Sequence, residues 1–319
     1  FRTRVFFWIP RKVRARMNMG YRVVRAAMAG FLGGSAIHGI KRSLAEEGKR
    51  DPDLALKVAK GYHKTLQDDS FYARLCQSLT IGTLGFVAHT FMHVLNETKI
   101  ENSKVLQDAA YKRRPEYKDR GLITVSNHVS AFDDPLIPAA MWSIPRMFSP
   151  YELRYVFCSI DRCFKKYWLG RMLTSVKVIP VERGGGLDQF AMRFAAEKLN
   201  NGEWIHLFPE GTRSRDEGKT LKKLKVGVAA LVVSADVPPP VIPFYHHGMH
   251  NVLPVGAQSL KTGNKIRIVV GEPIFFDDLI RLHRQKGYSE KEVYSAITAR
   301  IEVALRELHE STHRQLDRD

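Results

Sequence analysis

The chain has 319 residues, with 50 Lys and Arg against 33 Asp and Glu, a formal net charge of +17, and 44% hydrophobic and 10% aromatic residues. That much apolar material supports a packed core and excludes general disorder, and three cysteines (Cys76, Cys158, Cys163) are too few for a disulfide framework or a four-ligand zinc site. The charge excess calls for a polyanion: nucleic acid, an anionic membrane surface, or import into an organelle that selects on positive charge.

Residues 1–45 carry ten Lys and Arg and no Asp or Glu, so more than half of the excess lies in an acid-free arm. Interleaved with Phe6, Phe7, Trp8, Val13 and Met17, this arm resembles a mitochondrial presequence or the segment beside one. Its aromatics accompany an apolar face, and the chain shows no recognised nucleic-acid motif, so nucleic acid is not the expected partner. Residues 1–70 are read as a basic, helical extension. From Leu75 to Leu95 there are 21 positions without Lys, Arg, Asp or Glu, long enough to span a hydrocarbon core. Gln77, Ser78, Thr80, Thr83, His89, Thr90 and His93 make it too polar for a helix facing lipid all round, and Gly82 and Gly85 invite a break. The segment 71–98 is therefore expected to be an interfacial, monotopic anchor; the competing reading is an ordinary buried helix.

Residues 99–319 form the expected domain. Leu122–Val125, Val176–Val181, Trp204–Phe208, Val241–Tyr245 and Ile266–Val270 read as strands, with helices over Gln189–Leu199 and Lys225–Ser234 between them. The alternation predicts an α/β domain with a mixed or parallel sheet flanked by helices. Ser289 and Glu292 have capping-box spacing before Val293, Ile297, Ile301 and Leu305, which predicts a terminal amphipathic helix packed on the domain.

Beyond the first of these strands stand Asn127, His128, Ser130, Asp133 and Asp134. A His followed five positions later by Asp in a tight turn forms an imidazole–carboxylate pair, in which the carboxylate fixes the tautomer and the other ring nitrogen is left as a general base. The spacing alone is weak, since His63 and Asp68 share it in a helical stretch that would turn the two side chains apart. Further blocks lend weight to the first pair. Ile179-Pro180-Val181-Glu182-Arg183-Gly184 is a strand running into a glycine loop with an Arg at its mouth, suited to phosphate. Phe208-Pro209-Glu210-Gly211-Thr212-Arg213 presents a carboxylate, a hydroxyl and a guanidinium after another strand. Val241–Tyr245 reads as an apolar strand suited to lining an acyl-sized groove. Cys163 reads as a small buried hydrophobe, and His246, His247 and His250 as strand-end and loop residues, not metal ligands.

Taken in order, Asn-His-x-Ser-x-x-Asp, Arg-Gly, Phe-Pro-Glu-Gly-Thr-Arg and Val-Ile-Pro resemble the four blocks of the glycerophospholipid acyltransferase family over about residues 120–275. Asn201-Gly202-Glu203-Trp204-Ile205-His206 before the third block, and His247-Gly248-Met249 with Val252-Leu253-Pro254 after the fourth, are similar to the tafazzin branch. Thr212-Arg213-Ser214 departs from that branch towards the CoA-dependent lysophospholipid acyltransferases, and it leaves the acyl donor open between a phospholipid and acyl-CoA. The resemblance implies His128 and Asp133 as the catalytic pair, with Asn127, Ser130, Arg183, Gly184, Glu210, Gly211, Thr212 and Arg213 around the substrate. It implies no resident cofactor or metal, with acyl-CoA as a conceivable co-substrate. It also implies phospholipids including cardiolipin as partners, and a mitochondrial, inner-membrane, monotopic location. The other reading is an acyltransferase-fold structural subunit of a large mitochondrial membrane complex, docked through residues 1–70.

Overall fold

The computed structural model describes residues 70–316 apart from 113–114, 150–151, 255–256 and 258, together with Gly61, Leu66 and Asp68. The chain divides into units 1–54 and 55–319, and every described residue belongs to the second. The basic arm and His63 lie outside the described residues.

Helix α1 (Phe71–Thr90) continues through a π-helical turn (Phe91–Leu95) into strand β1 (Glu97–Glu101), α2 (Ser103–Ala110) and β2 (Leu122–Ser126). Then come α3 (Asp133–Met141), α4 (Ile144–Met147), β3 (Tyr155–Ser159), α5 (Ile160–Cys163), α6 (Tyr167–Ser175) and β4 (Val178–Val181). The remainder is α7 (Phe190–Asn200), β5 (Trp204–Leu207), α8 (Gly227–Ser234), β6 (Val241–His247), α9 (Met249–Val252), β7 (Lys265–Val270), α10 (Asp277–Lys286) and α11 (Glu290–Leu316). Among the described residues seven strands form one mixed sheet in the order β1-β7-β6-β2-β5-β3-β4, with β6 and β7 the antiparallel pair. The expected α/β sheet flanked by helices is the fold observed.

Period-two alternation sorts the core into two layers. Ile123, Val125, Ile205, Leu207 and Val241 face one layer, with Val293, Ile297, Ile301 and Leu305 of α11. Leu122, Trp204, Ile242 and Phe244 face the other, with Leu136 and Ile137 of α3. Strand β2 is central and buried at all five positions, as a parallel strand covered on both faces must be. The capping box forms at the start of α11: Ser289 N donates to Glu292 Oε2 at 2.8 Å, and Glu292 N donates to Ser289 Oγ at 3.4 Å. Of Val241–Tyr245, Pro243 lines a pocket together with Gly271, Ile274 and Leu308, and the other four face the interior. Val241, Ile242, Phe244 and Tyr245 are at most 2% exposed and are core.

The stretch from Phe71 to Leu95 is long and apolar enough to cross a membrane. It does not break at Gly82 or Gly85. Those glycines are close-approach points, where an added Cβ would meet the Phe148 ring and the Met147 side chain. Its polar side chains have partners: His89 Nδ1 donates to Ala139 O at 2.9 Å, His93 Nε2 donates to Ala140 O at 3.0 Å, and Ser78 donates to Phe148 O. Strand β1 already pairs with β7 from Glu97, so the sheet begins inside the segment 71–98 read as anchor.

Candidate active site

Parallel strands β2, β5 and β6 lie side by side, so the segments after their carboxyl ends meet at one edge of the sheet, where open α/β sheets form sites. That edge gathers Asn127-His128, Phe208-Pro209-Glu210 and His246. His128 Nδ1 lies 2.8 Å from Asp133 Oδ2, and the two side chains are 21% and 1% exposed. The same carboxylate oxygen accepts Val129 N at 2.7 Å and Ser130 N at 2.9 Å. The turn after β2 thus wraps its own backbone donors around the first residue of α3, which is why a five-residue spacing works here. An acceptor at Nδ1 puts the ring hydrogen there and leaves Nε2 as the basic nitrogen. Nε2 has no partner among the described residues. The Phe208 ring stacks on the imidazole, with centroids 4.1 Å apart.

Glu210 is only 4% exposed, and burial raises the pKa of its carboxyl. Oε1 accepts His128 N at 3.3 Å and Oε2 accepts Lys222 N at 3.2 Å, so this carboxylate fastens the base's backbone to the segment at Lys222. Ser214 N adds a 2.7 Å bond to His128 O. The turn between them needs a left-handed residue, which Gly211 supplies at φ 68°. Thr212 Oγ1 accepts from Lys222 Nζ at 3.3 Å, and the Arg213 side chain is exposed. The cationic residues Arg213, Arg215, Lys219, Lys223 and Lys225 are thus carried on a segment hydrogen-bonded to the base's own loop.

Asn127 and Ser130, read as substrate contacts, are buried at 2% and 1%. The Asn127 side chain donates to His246 O at 2.9 Å and accepts His246 N at 3.0 Å, while Ser130 Oγ accepts Phe132 N at 3.3 Å. Both shape the turn. Arg183 and Gly184 follow β4, three strands from β2 and about 14 Å along the sheet edge at ordinary strand spacing. Arg183 Nε meets Asp161 Oδ1 at 3.2 Å, with both side chains more than half exposed.

Other side chains around the site have partners that the local sequence does not announce. Asp134 is paired with Arg154, and burial raises the pKa of its carboxyl despite that cation. His206 is buried between Thr124, 2.9 Å from its Nδ1, and the Phe208 and Phe244 rings; burial drives its pKa well below the usual histidine value and keeps it neutral. Cys163 is disulfide-bonded to Cys158, which corrects its reading as a lone hydrophobe. Neutral His246 was readable in principle, since period two places it with Ile242 and Phe244 on the α3 side of β6.

The family model described as Acyltransferase matches residues 97–247, from β1 to the end of β6. An N-acylphosphatidylethanolamine synthase of Arabidopsis thaliana is 33% identical over 196 residues, 60% of this chain and 67% of that protein. The chain belongs to the acyltransferase family. The acyltransferase is also similar to the tafazzin of Drosophila melanogaster, 28% identical over 278 residues, 83% of this chain and 71% of the relative. A chloroplastic 1-acyl-sn-glycerol-3-phosphate acyltransferase of Brassica napus is 26% identical over 158 residues, 49% of this chain and 42% of its own. The acyltransferase is therefore a tafazzin-like enzyme, and its matched residues take in His128, Asp133, Arg183 and Glu210.

Proposed function

We propose that the enzyme moves a fatty acyl chain from a donor phospholipid to the free glycerol hydroxyl of a lysophospholipid, with cardiolipin among its substrates, at a mitochondrial membrane. The observation that carries the reading is the His128–Asp133 pair, with an imidazole 21% exposed and its second ring nitrogen without a partner among the described residues. Nε2 takes the proton of the acceptor hydroxyl as that oxygen attacks the donor's ester carbonyl. The tetrahedral intermediate collapses, its bond to the donor glycerol oxygen breaks, and the imidazolium returns the proton to that oxygen. One acyl chain changes hosts and no water is consumed. Asp133, already holding Nδ1–H, stabilises the transient imidazolium. No enzyme nucleophile is needed, in keeping with a Ser130 hydroxyl turned to its own backbone.

Head-group phosphates meet Arg183 and the exposed cations between Arg213 and Lys225. Phe71, Leu75, Leu79 and Phe86 recur on one face of α1 and are 44–82% exposed, while Ala88 and Met92 on the same apolar segment are buried. That stripe enters the bilayer, and the opposite face stays docked on α3 and α4. The similarity to tafazzins favours a phospholipid donor, and Thr212-Arg213-Ser214 makes acyl-CoA the alternative to be tested.

The test is acyl transfer in cardiolipin-containing vesicles from labelled phosphatidylcholine and, separately, from acyl-CoA, comparing wild type with His128→Ala. Transfer from phosphatidylcholine alone, abolished by the substitution, is the expected result. Equal rates in both proteins would refute the base, and transfer from acyl-CoA alone would refute the donor.

A further inference from the structure

His246 sits at the end of β6, with its side chain fully buried. It makes three hydrogen bonds to one residue. Its backbone N and O are clamped by the Asn127 side chain at 3.0 and 2.9 Å, and its Nε2 lies 3.0 Å from Asn127 O. Asn127 is the residue immediately before the base. The same Nε2 lies 3.8 Å from Asp133 Oδ2, too far for a hydrogen bond but close enough for its dipole to be felt in a dry site. Both oxygens near Nε2 are acceptors, so Nε2 carries the hydrogen. Burial lowers the ring's pKa and keeps it neutral. Its Nδ1 is buried without a partner, a standing cost that a Leu or Phe at this core-facing position would avoid. Apart from the bond to Asn127 O, folding gives no reason for an imidazole here.

We propose that His246 is a positioning residue for acyl transfer: it fixes the backbone that carries His128 and turns an N–H towards Asp133, so that the carboxylate stays aimed at Nδ1. The inference deepens the general-base reading and rests on it. Asp133 Oδ2 gathers its donors from the turn after β2, and that turn is connected to the sheet beyond β2 through Asn127 and His246. Without the Nε2 bond, Asn127 O is left buried with one partner fewer and the peptide leading into His128 is free to tilt. Displacements of about 1 Å at a reacting group can lower a rate by roughly 100-fold.

The experiment compares His246→Gln and His246→Leu with wild type and His128→Ala in vesicles, titrating a lysophospholipid acceptor and recording kcat, KM and Tm. His246→Leu is expected to lower kcat roughly 10- to 100-fold with KM within about twofold. His246→Gln, whose amide still donates to Asn127 O, is expected to stay within about fivefold of wild type. A His246→Leu kcat within twofold of wild type, or equal losses in the Leu and Gln variants, would overturn the proposal. If His246→Leu does not fold, Gln is compared with Asn, whose amide is one methylene too short; kcat at least tenfold lower for Asn supports the role and equal kcat overturns it. Activity retained in His128→Ala would instead sink the base itself.

Discussion

Asp133 makes the sharpest separation between folding and chemistry, because one oxygen of its carboxylate is bonded three times while the other is buried with no partner. Asp133→Asn can keep its carbonyl oxygen where Oδ2 stands and place its NH2 at the unpartnered position. The bonds from Val129 N, Ser130 N and His128 Nδ1 then survive, and so does the tautomer. What is lost is the negative charge. A hydrogen bond to a charged group contributes about 1.5–3 kcal/mol against about 1 for a neutral one, and the imidazolium formed in the transition state also loses its counter-ion, so a barrier increase of about 1.5–3 kcal/mol is expected. That corresponds to a kcat roughly 10- to 150-fold lower. Asp133→Ala behaves differently, since it strands two buried backbone N–H groups at about 1–3 kcal/mol each, a destabilisation of roughly 2–6 kcal/mol. Vesicle transfer rates and urea unfolding on both variants check this. An Asn variant with more than half the wild-type kcat, or one as unstable as the Ala variant, would refute the reasoning.

Arg183→Ala is expected to raise KM for a phosphate-bearing acceptor about tenfold with little change in Tm, because the exposed pair with Asp161 is worth under about 1 kcal/mol; an unchanged KM removes Arg183 from the head-group site. Leu79→Glu, on the exposed stripe of α1, should reduce co-flotation with anionic vesicles and leave Tm within a few degrees; undiminished flotation would show that the stripe does not enter lipid. Hydrogen bonds from Ser214 and Thr220 hold the Asp216 carboxyl down from 3.8 to about 2. A depressed carboxyl contributes stability above its unfolded value and loses it as pH falls through the folded one. Wild type should therefore lose Tm between pH 4 and 2 more steeply than Asp216→Asn, and parallel Tm profiles would contradict this.

The central strands were legible because burial on both faces gives an unbroken apolar run, as in Leu122–Val125 and Val241–Tyr245. Strand β1 was not. Glu97-Thr98-Lys99-Ile100-Glu101 is charged at an open edge and is made a strand by pairing with β7, some 168 residues away. The His–Asp pair was readable because its geometry is local and closes within one turn. The backbone partners of Glu210, His128 N and Lys222 N, were not legible, since a carboxylate in a polar turn reads the same whether it faces solvent or a buried backbone. Nothing in the spacing could announce that His246 meets Asn127, a contact between residues 119 apart. The Arg154–Asp134 pair likewise joins residues 20 apart, from β3's lead-in to the start of α3.

The polar residues of 75–95 argued by composition against a helix surrounded by lipid, and their hydrogen bonds give that argument a different meaning. Helix ends leave carbonyls without intrahelical partners. At the end of α3 those of Ala139 and Ala140 accept His89 Nδ1–H and His93 Nε2–H from α1 and its π turn, and Met141 O accepts Gln107 Nε2 at 3.4 Å. The two histidines are docking groups. Asp133 opens α3, whose backbone is kinked at the non-helical Asp134 before the turns that run to Met141. One short, kinked segment thus carries the carboxylate at its start and receives the apolar helix at its end. With Phe71, Leu75, Leu79 and Phe86 exposed on the other side of α1, that apolar surface and the base pair are joined through the same short segment. An enzyme whose substrates stay in a bilayer gains from this arrangement. A change that undocks α1 from α3 should therefore disturb the Asp133 geometry through that segment, and with it the transfer rate.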